Sequence, residues 1–286
     1  MGPPEPTGHV HRQASCAINS YVLQKGLAYV LDLFFYGFMQ TALAFGQSAD
    51  LVFVRDRLRD RFGPVFDALR HDPISQLVKA SIGSRTYDEI SSAAFERLVM
   101  RYPDIDDLAA APVEEIEAVI SDVEFAETKA LHLRAALRMI KAQQGAISLD
   151  FLCDWPVDLA MRWLVGLPGV GHKVAAAVLN FSTLRRRIFV VDTHVLRVLQ
   201  RFGFAGTKAD GEDVSDAAMA AADGFDTDDL YELHWLLKYL GRQICTHGIA
   251  HCSECPLAAL CMKRVLPEKA INRPVSLAGQ TAQPLA

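Results

Sequence analysis

The chain has 286 residues, 51% of them hydrophobic and 22% charged, with a formal net charge of −5. That length and apolar content are enough for one large or two modest globular domains with real cores. The negative balance excludes a globally basic nucleic-acid binder, so any such surface has to gather its cations on one face. Six cysteines are present, and Cys245, Cys252, Cys255 and Cys261 fall within seventeen residues. Clustering at one end of a long chain excludes a spread disulfide framework and points to a metal site in a reducing compartment. Cys16 and Cys153 stand apart and read as small apolar residues.

In chain order, Met1–Gly8 is rich in Gly and Pro, and the run from Gly26 to Gly46 is apolar enough to suggest a membrane helix by length. Asp32 and Gln40 interrupt that run, and no basic n-region or cleavage site of secretory type accompanies it. It is expected to be an extension, or a stretch before a true initiator at Met39, and no membrane span is expected. Folded material is predicted from about Asp50 to Val265. Asp72-Pro73 predicts a helix start, followed by Ile74, Leu77, Val78 and Ile82 at helical spacing. Pro112 opens a short helix with Glu114, Glu115 and Glu117 near its positive end. A longer helix over Phe125–Gln144 should stop at Gly145. Asp192 precedes the apolar positions Val195, Leu196, Val198 and Leu199, and Leu230–Leu240 repeats the pattern. Only Arg187–Val191 looks strand-like, and between helices it reads better as a buried turn. The Pro274–Ala286 tail closes the chain. The fold class expected is all-α.

Three motifs carry chemistry. In Leu167-Pro168-Gly169-Val170-Gly171-His172-Lys173, a proline ends one helix and two glycines allow a tight hairpin into the next. Backbone N–H groups at the start of that second helix make a ready anion site, suited to a DNA phosphate. Lys173 sits in the first helical turn among apolar residues, and both features disfavour the ammonium and favour a nucleophilic amine. Nineteen residues on, Val191-Asp192-Thr193-His194 places a carboxylate at another helix start. The third motif, Cys245-x6-Cys252-x2-Cys255-x5-Cys261, has only one closely spaced pair. That favours a [4Fe–4S] cubane over tetrahedral zinc, which usually takes two short pairs.

Together, in this order and spacing, the motifs resemble the endonuclease III branch of the helix-hairpin-helix DNA glycosylases, over roughly Leu51 to Lys263. The resemblance implies two helical domains flanking a DNA cleft. A six-helix barrel with the hairpin would span 66–186, and an iron–sulfur domain would join 51–65 to 187–265, with 1–50 an extension and 266–286 a tail. It implies that Lys173 attacks C1′ of a flipped nucleotide, releases the base and forms a Schiff base whose β-elimination nicks the strand. It makes Asp192 the carboxylate that assists Lys173 and stabilises charge on the sugar. The four cysteines would hold a [4Fe–4S] cluster, and Leu167, Gly169, Val170, Gly171 and His172 would hold the DNA backbone. Relatives that cleave adenine or mismatched thymine carry serine or tyrosine in place of the hairpin lysine.

Three departures accompany the resemblance. Where relatives carry a gap-filling glutamine, the corresponding position is Ser84, beside Arg85. The hairpin helix reads Lys-Val-Ala-Ala-Ala-Val, without the polar groups of relatives. The loop Thr246–His251 holds His247 and His251 and no Lys or Arg, leaving phosphate contacts to the hairpin and to Arg185, Arg186, Arg187 and Lys263. Ser84, Arg85 and His194 are the candidate pocket or wedge residues. The expected protein is a cytoplasmic, nucleoid-associated monomer that acts on duplex DNA carrying damaged pyrimidines or abasic sites. Its rivals are an enzyme of the same fold with altered base specificity, for mismatches or modified cytosine, and a non-catalytic iron–sulfur DNA-binding protein.

Overall fold

The computed structural model describes residues 47–66 and 69–263. The apolar run Gly26–Gly46, Met39, Cys16 and the tail beyond Lys263 lie outside the described residues. Among the described residues there are eleven α-helices and no strand, and no helix is long and apolar enough to cross a membrane. The helices are α1 (Gln47–Phe62), α2 (Pro73–Ile82), α3 (Asp88–Arg101), α4 (Ile105–Ala110), α5 (Val113–Val119), α6 (Ala126–Gln144), α7 (Val157–Val165), α8 (His172–Phe181), α9 (Thr193–Phe202), α10 (Gly211–Ala221) and α11 (Thr227–Gln243). The fold is all-α.

Local chemistry explains where the helices begin and end. Asp72 Oδ1 accepts from the Ile74 and Ser75 amides at 3.0 Å, and Pro73 supplies the preset φ of a first turn. Gly145, with φ +79°, ends α6 in the left-handed region that glycine tolerates best. Asp210 with Asp213, and Asp226 with Asp229, form reciprocal capping boxes at the starts of α10 and α11.

Two hydrophobic cores result. One gathers Ile74 through Val190, with α2 and α7 packed on α8 and α4 and α5 on α6. The other joins Leu51, Val54 and Leu58 of α1 to Phe189 and to residues from Val191 to Leu257, with α1 and α9 packed on α11. Cys153 packs at the edge of the first core.

The strand-like segment lies between the cores and explains its own pattern. Ile188 and Val190 enter the first core, while Phe189 and Val191 enter the second. Its alternation comes from inserting side chains into opposite cores, without a partner strand. The backbone is satisfied by side chains instead: Ser215 donates to Phe189 O and His234 Nδ1 to Val190 O, both at 2.8 Å.

The three arginines expected to meet phosphate are committed elsewhere. Arg186 donates to the carbonyls of Leu152, Cys153 and Trp155. Arg187 donates to Phe225 O and Ala222 O, and Arg185 pairs with Asp228. Guanidinium forks at a junction between cores satisfy carbonyls that helix ends leave open.

Candidate active site

The hairpin joins α7 to α8. Leu167 and Val170 are buried and anchor it, while Gly171 is exposed and His172 partly so. Gly169 has φ +74°, and a Cβ there would meet His132 Cβ at 2.7 Å. The expectation that both glycines supply unusual backbone angles holds for Gly169 alone. Gly171 has φ −95° and ψ 177°, extended backbone open to any residue, with nothing within 4 Å of a would-be Cβ. Gly171 leaves room at the start of α8, where no side chain caps the first-turn amides. Those N–H groups have no side-chain partner, which suits an anion site.

Lys173 is the second residue of α8. Burial strongly disfavours its ammonium, Asp192 opposes that effect, and Lys238 reinforces it. The amine makes no hydrogen bond or ion pair among the described residues. The residue is partly exposed.

Asp192 caps α9, with Oδ1 accepting from the His194 and Val195 amides at 2.8 Å each. Burial works to raise its carboxyl, but His234, the Val195 amide, Lys238 and His194 outweigh it and hold the group below the usual aspartate value. His234 is itself pushed down to about 4 by burial, so it is neutral at ordinary pH. The amide and Lys238 are therefore the lasting contributors.

Of the pocket candidates, Ser84 turns its hydroxyl back toward Ala80 O at 3.4 Å. Arg85 is exposed in the left-handed region (φ 58°), with its guanidinium over the Phe125 ring at 5.8 Å. His194 is held by Arg197, whose Nη2 lies 3.1 Å from its Nδ1, and it rests against Gly241, where a Cβ would come within 2.9 Å.

Sequence reasoning missed four groups here. Lys129 staples the 82–86 loop, donating to Ile82 O (2.7 Å), Ser84 O (2.5 Å) and Thr86 Oγ1 (3.1 Å). Burial, with the charge of Lys173 adding to it, lowers Lys129 to about 8. Phe125 is an exposed aromatic with φ 60° beside Arg85. Lys238 and Asp88 form an ion pair that links α11 to α3. Each reads in sequence as an ordinary helix residue, and no local pattern distinguishes them.

The four clustered cysteines are free thiols, and Cys245, Cys255 and Cys261 pack against the second core. Cys252 opens a short 3₁₀ turn and Cys255 follows it. Burial raises the thiols of Cys255 and Cys261, and mutual repulsion among the four adds to it, so they share one neighbourhood. Arg201 Nη1 lies 3.5 Å from Cys245 Sγ, and the Lys263 amide donates to Cys261 Sγ at 3.4 Å. Among the described residues no three side chains form a preformed metal cage. Four soft donors with N–H groups already aimed at sulfur nonetheless fit an iron–sulfur cluster.

Residues 78–222 match the family described as HhH-GPD superfamily base excision DNA repair protein. The chain is 29% identical over 210 residues to endonuclease III of Bacillus subtilis (strain 168), covering 73% of this chain and 90% of that one. It is 32% identical over 190 residues to endonuclease III of Synechocystis sp., covering 66% and 80%. Its fold matches a solved endonuclease III trapped as a covalent intermediate with DNA, with TM-score 0.63 at 24% identity, over 76% of this chain and 96% of that one.

Proposed function

Because the chain belongs to the HhH-GPD superfamily of base excision DNA repair proteins, we infer that it is a bifunctional DNA glycosylase and abasic-site lyase of the endonuclease III type. The observation that carries this reading is Lys173, an amine disfavoured as ammonium, in the field of the Asp192 carboxylate. A binding module needs neither group.

The Lys173 Nζ lone pair attacks C1′ of the flipped nucleotide as the glycosidic bond breaks, and the leaving base takes a proton. Asp192 stabilises the positive charge that develops on the sugar. Loss of the amine proton and ring opening give the Schiff base. Removal of a C2′ proton then expels the 3′ phosphate by β-elimination, and water frees Lys173. The Gly171–Lys173 amides bind the DNA backbone, and exposed Phe125 with Arg85 suits filling the gap left by the flipped nucleotide.

Cys245, Cys252, Cys255 and Cys261 would hold a [4Fe–4S] cluster, which when bound supplies a rigid structural centre to the second core. The two cores support a division into a barrel over 66–186 and a cluster domain from 51–65 and 187–265. Damaged pyrimidines in duplex DNA are the substrate class, and the protein acts as a monomer. A specificity shifted toward mismatched or modified bases is favoured by Ser84, whose hydroxyl turns back to the preceding helix. The buried hairpin-helix face Val174–Val178, which has no polar group, points the same way.

Borohydride trapping tests the reading. The parent should form a covalent adduct with abasic DNA, and Lys173→Ala should lose it while still binding DNA. An undiminished adduct in the mutant refutes Lys173 as nucleophile. A panel of single-lesion duplexes separates damaged pyrimidines from mismatches.

A further inference from the structure

Two exposed residues hold backbone conformations that their side chains disfavour. Arg85 has φ 58° and Phe125 has φ 60°, in the left-handed region that glycine or asparagine occupies more easily. Phe125 is also the N-cap of α6 and makes no side-chain cap there, at a position that serine, threonine or aspartate fills better. Local preference explains neither residue, so the surrounding structure has to hold both.

What holds them is a joint made by Lys129 and Thr86. Lys129 Nζ donates to Ile82 O at 2.7 Å, Ser84 O at 2.5 Å and Thr86 Oγ1 at 3.1 Å, one acceptor for each ammonium proton. The Lys129 amide donates to Phe125 O at 3.0 Å. Thr86 Oγ1 also accepts from the Glu124 amide at 3.2 Å. These bonds bracket Arg85 on one loop and Phe125 on the other. The two side chains then meet, with the guanidinium 5.8 Å from the centre of the ring. The joint stands beside the hairpin: His132, one turn beyond Lys129 on α6, lies so close to Gly169 that a Cβ there would come within 2.7 Å of its own.

We propose that Lys129, with Thr86, is a positioning residue that locks Arg85 and Phe125 into a single gap-filling wedge. This rests on the reading of the chain as a DNA glycosylase and lyase. A wedge has to stay in place against a base stack that tends to close. Loops ordered beforehand avoid the entropy cost of ordering at the moment of insertion, whereas unsupported loops meet that cost on every encounter. Neither Lys129 nor Thr86 takes part in the chemistry described above, so the joint serves extrusion and leaves bond breaking to Lys173 and Asp192.

The test gives the full chain two abasic substrates, one duplex and one single-stranded, with melting temperature measured in parallel. A single strand has no paired stack to open, so its cleavage calls on the reacting groups without the wedge. Lys129→Met should slow single-turnover cleavage of the duplex by roughly tenfold or more and leave the single strand within about threefold of the parent. Thr86→Val keeps the shape and removes the shared hydroxyl, and it should show a smaller loss of the same kind. It carries the test if Lys129→Met folds poorly. A fluorescent adenine analogue opposite the abasic site reads insertion without chemistry. At saturating protein its emission should rise with the parent and stay low with either variant. Equal losses on the two substrates, an undiminished duplex rate, or emission equal to the parent's overturns the proposal and leaves Lys129 as a structural staple. A parent that cleaves neither substrate refutes the lyase reading instead, and the fluorescence still decides the wedge.

Discussion

Lys173, in the first turn of α8, and Asp192, the cap of α9, interact through charge, with no hydrogen bond between them. The gap has a use. A bonded carboxylate would hold a proton on the amine, whereas a nearby one leaves the lone pair available and, in the proposed mechanism, would face the cation that forms on the sugar.

The cap that Asp192 makes and the catalytic duty proposed for it can be separated by substitution. Asparagine caps helices about as well as aspartate, so Asp192→Asn should keep the amide contacts of His194 and Val195 and melt close to the parent. It should slow base release by several orders of magnitude in single-turnover assays. Asp192→Ala should lose both, with about 1 kcal/mol of stability gone through the cap. Near-parental base release by Asp192→Asn would reduce the residue to a cap.

His234 predicts acid sensitivity. Its imidazole titrates at about 4 in the folded chain against 6.5 when free, because burial disfavours the cation. As pH falls, the unfolded chain takes the proton first. Stability is therefore full above about 6.5 and declines as pH drops toward about 4, by on the order of 3 kcal/mol. Denaturant melts at pH 7 and pH 4.5 should show most of that loss, and His234→Gln should flatten it. A parallel decline in the variant would assign the effect to other groups.

The two hairpin glycines should respond differently to alanine. Gly169→Ala forces a side chain into the left-handed region and against His132, and should cost ~1–2 kcal/mol or more. Gly171→Ala meets nothing within the protein and should melt normally. It should nevertheless weaken binding to undamaged duplex regardless of sequence, since its methyl stands where a phosphate would approach. Unchanged DNA affinity in Gly171→Ala would move the phosphate site elsewhere.

Purified protein should be brown, with broad absorption near ~400 nm and about four irons per chain. Cys255→Ala should fold poorly, because that sulfur packs on the second core. An active, colourless protein with one bound zinc would refute the cubane.

Several features were legible in the sequence because their signals are local. Asp72-Pro73, Gly145 and Asp192 mark helix ends through the chemistry of single residues, and the structure caps or terminates helices at each. The spacing of Lys173, Asp192 and the four cysteines identified the family for the same reason, since each motif is contiguous. Tertiary structure decided what depends on long-range neighbours. Arg186 and Arg187 looked like free cations, and they are bound to carbonyls more than thirty residues away. Residues 188–191 alternate like a strand because two cores, and not one sheet, receive their side chains. Lys238 and Asp88 are 150 residues apart in the chain, and no local pattern can show that an ion pair will join them. Charge acts through space at a few ångströms, so the environment of a nucleophile is set by the fold that brings distant residues to it.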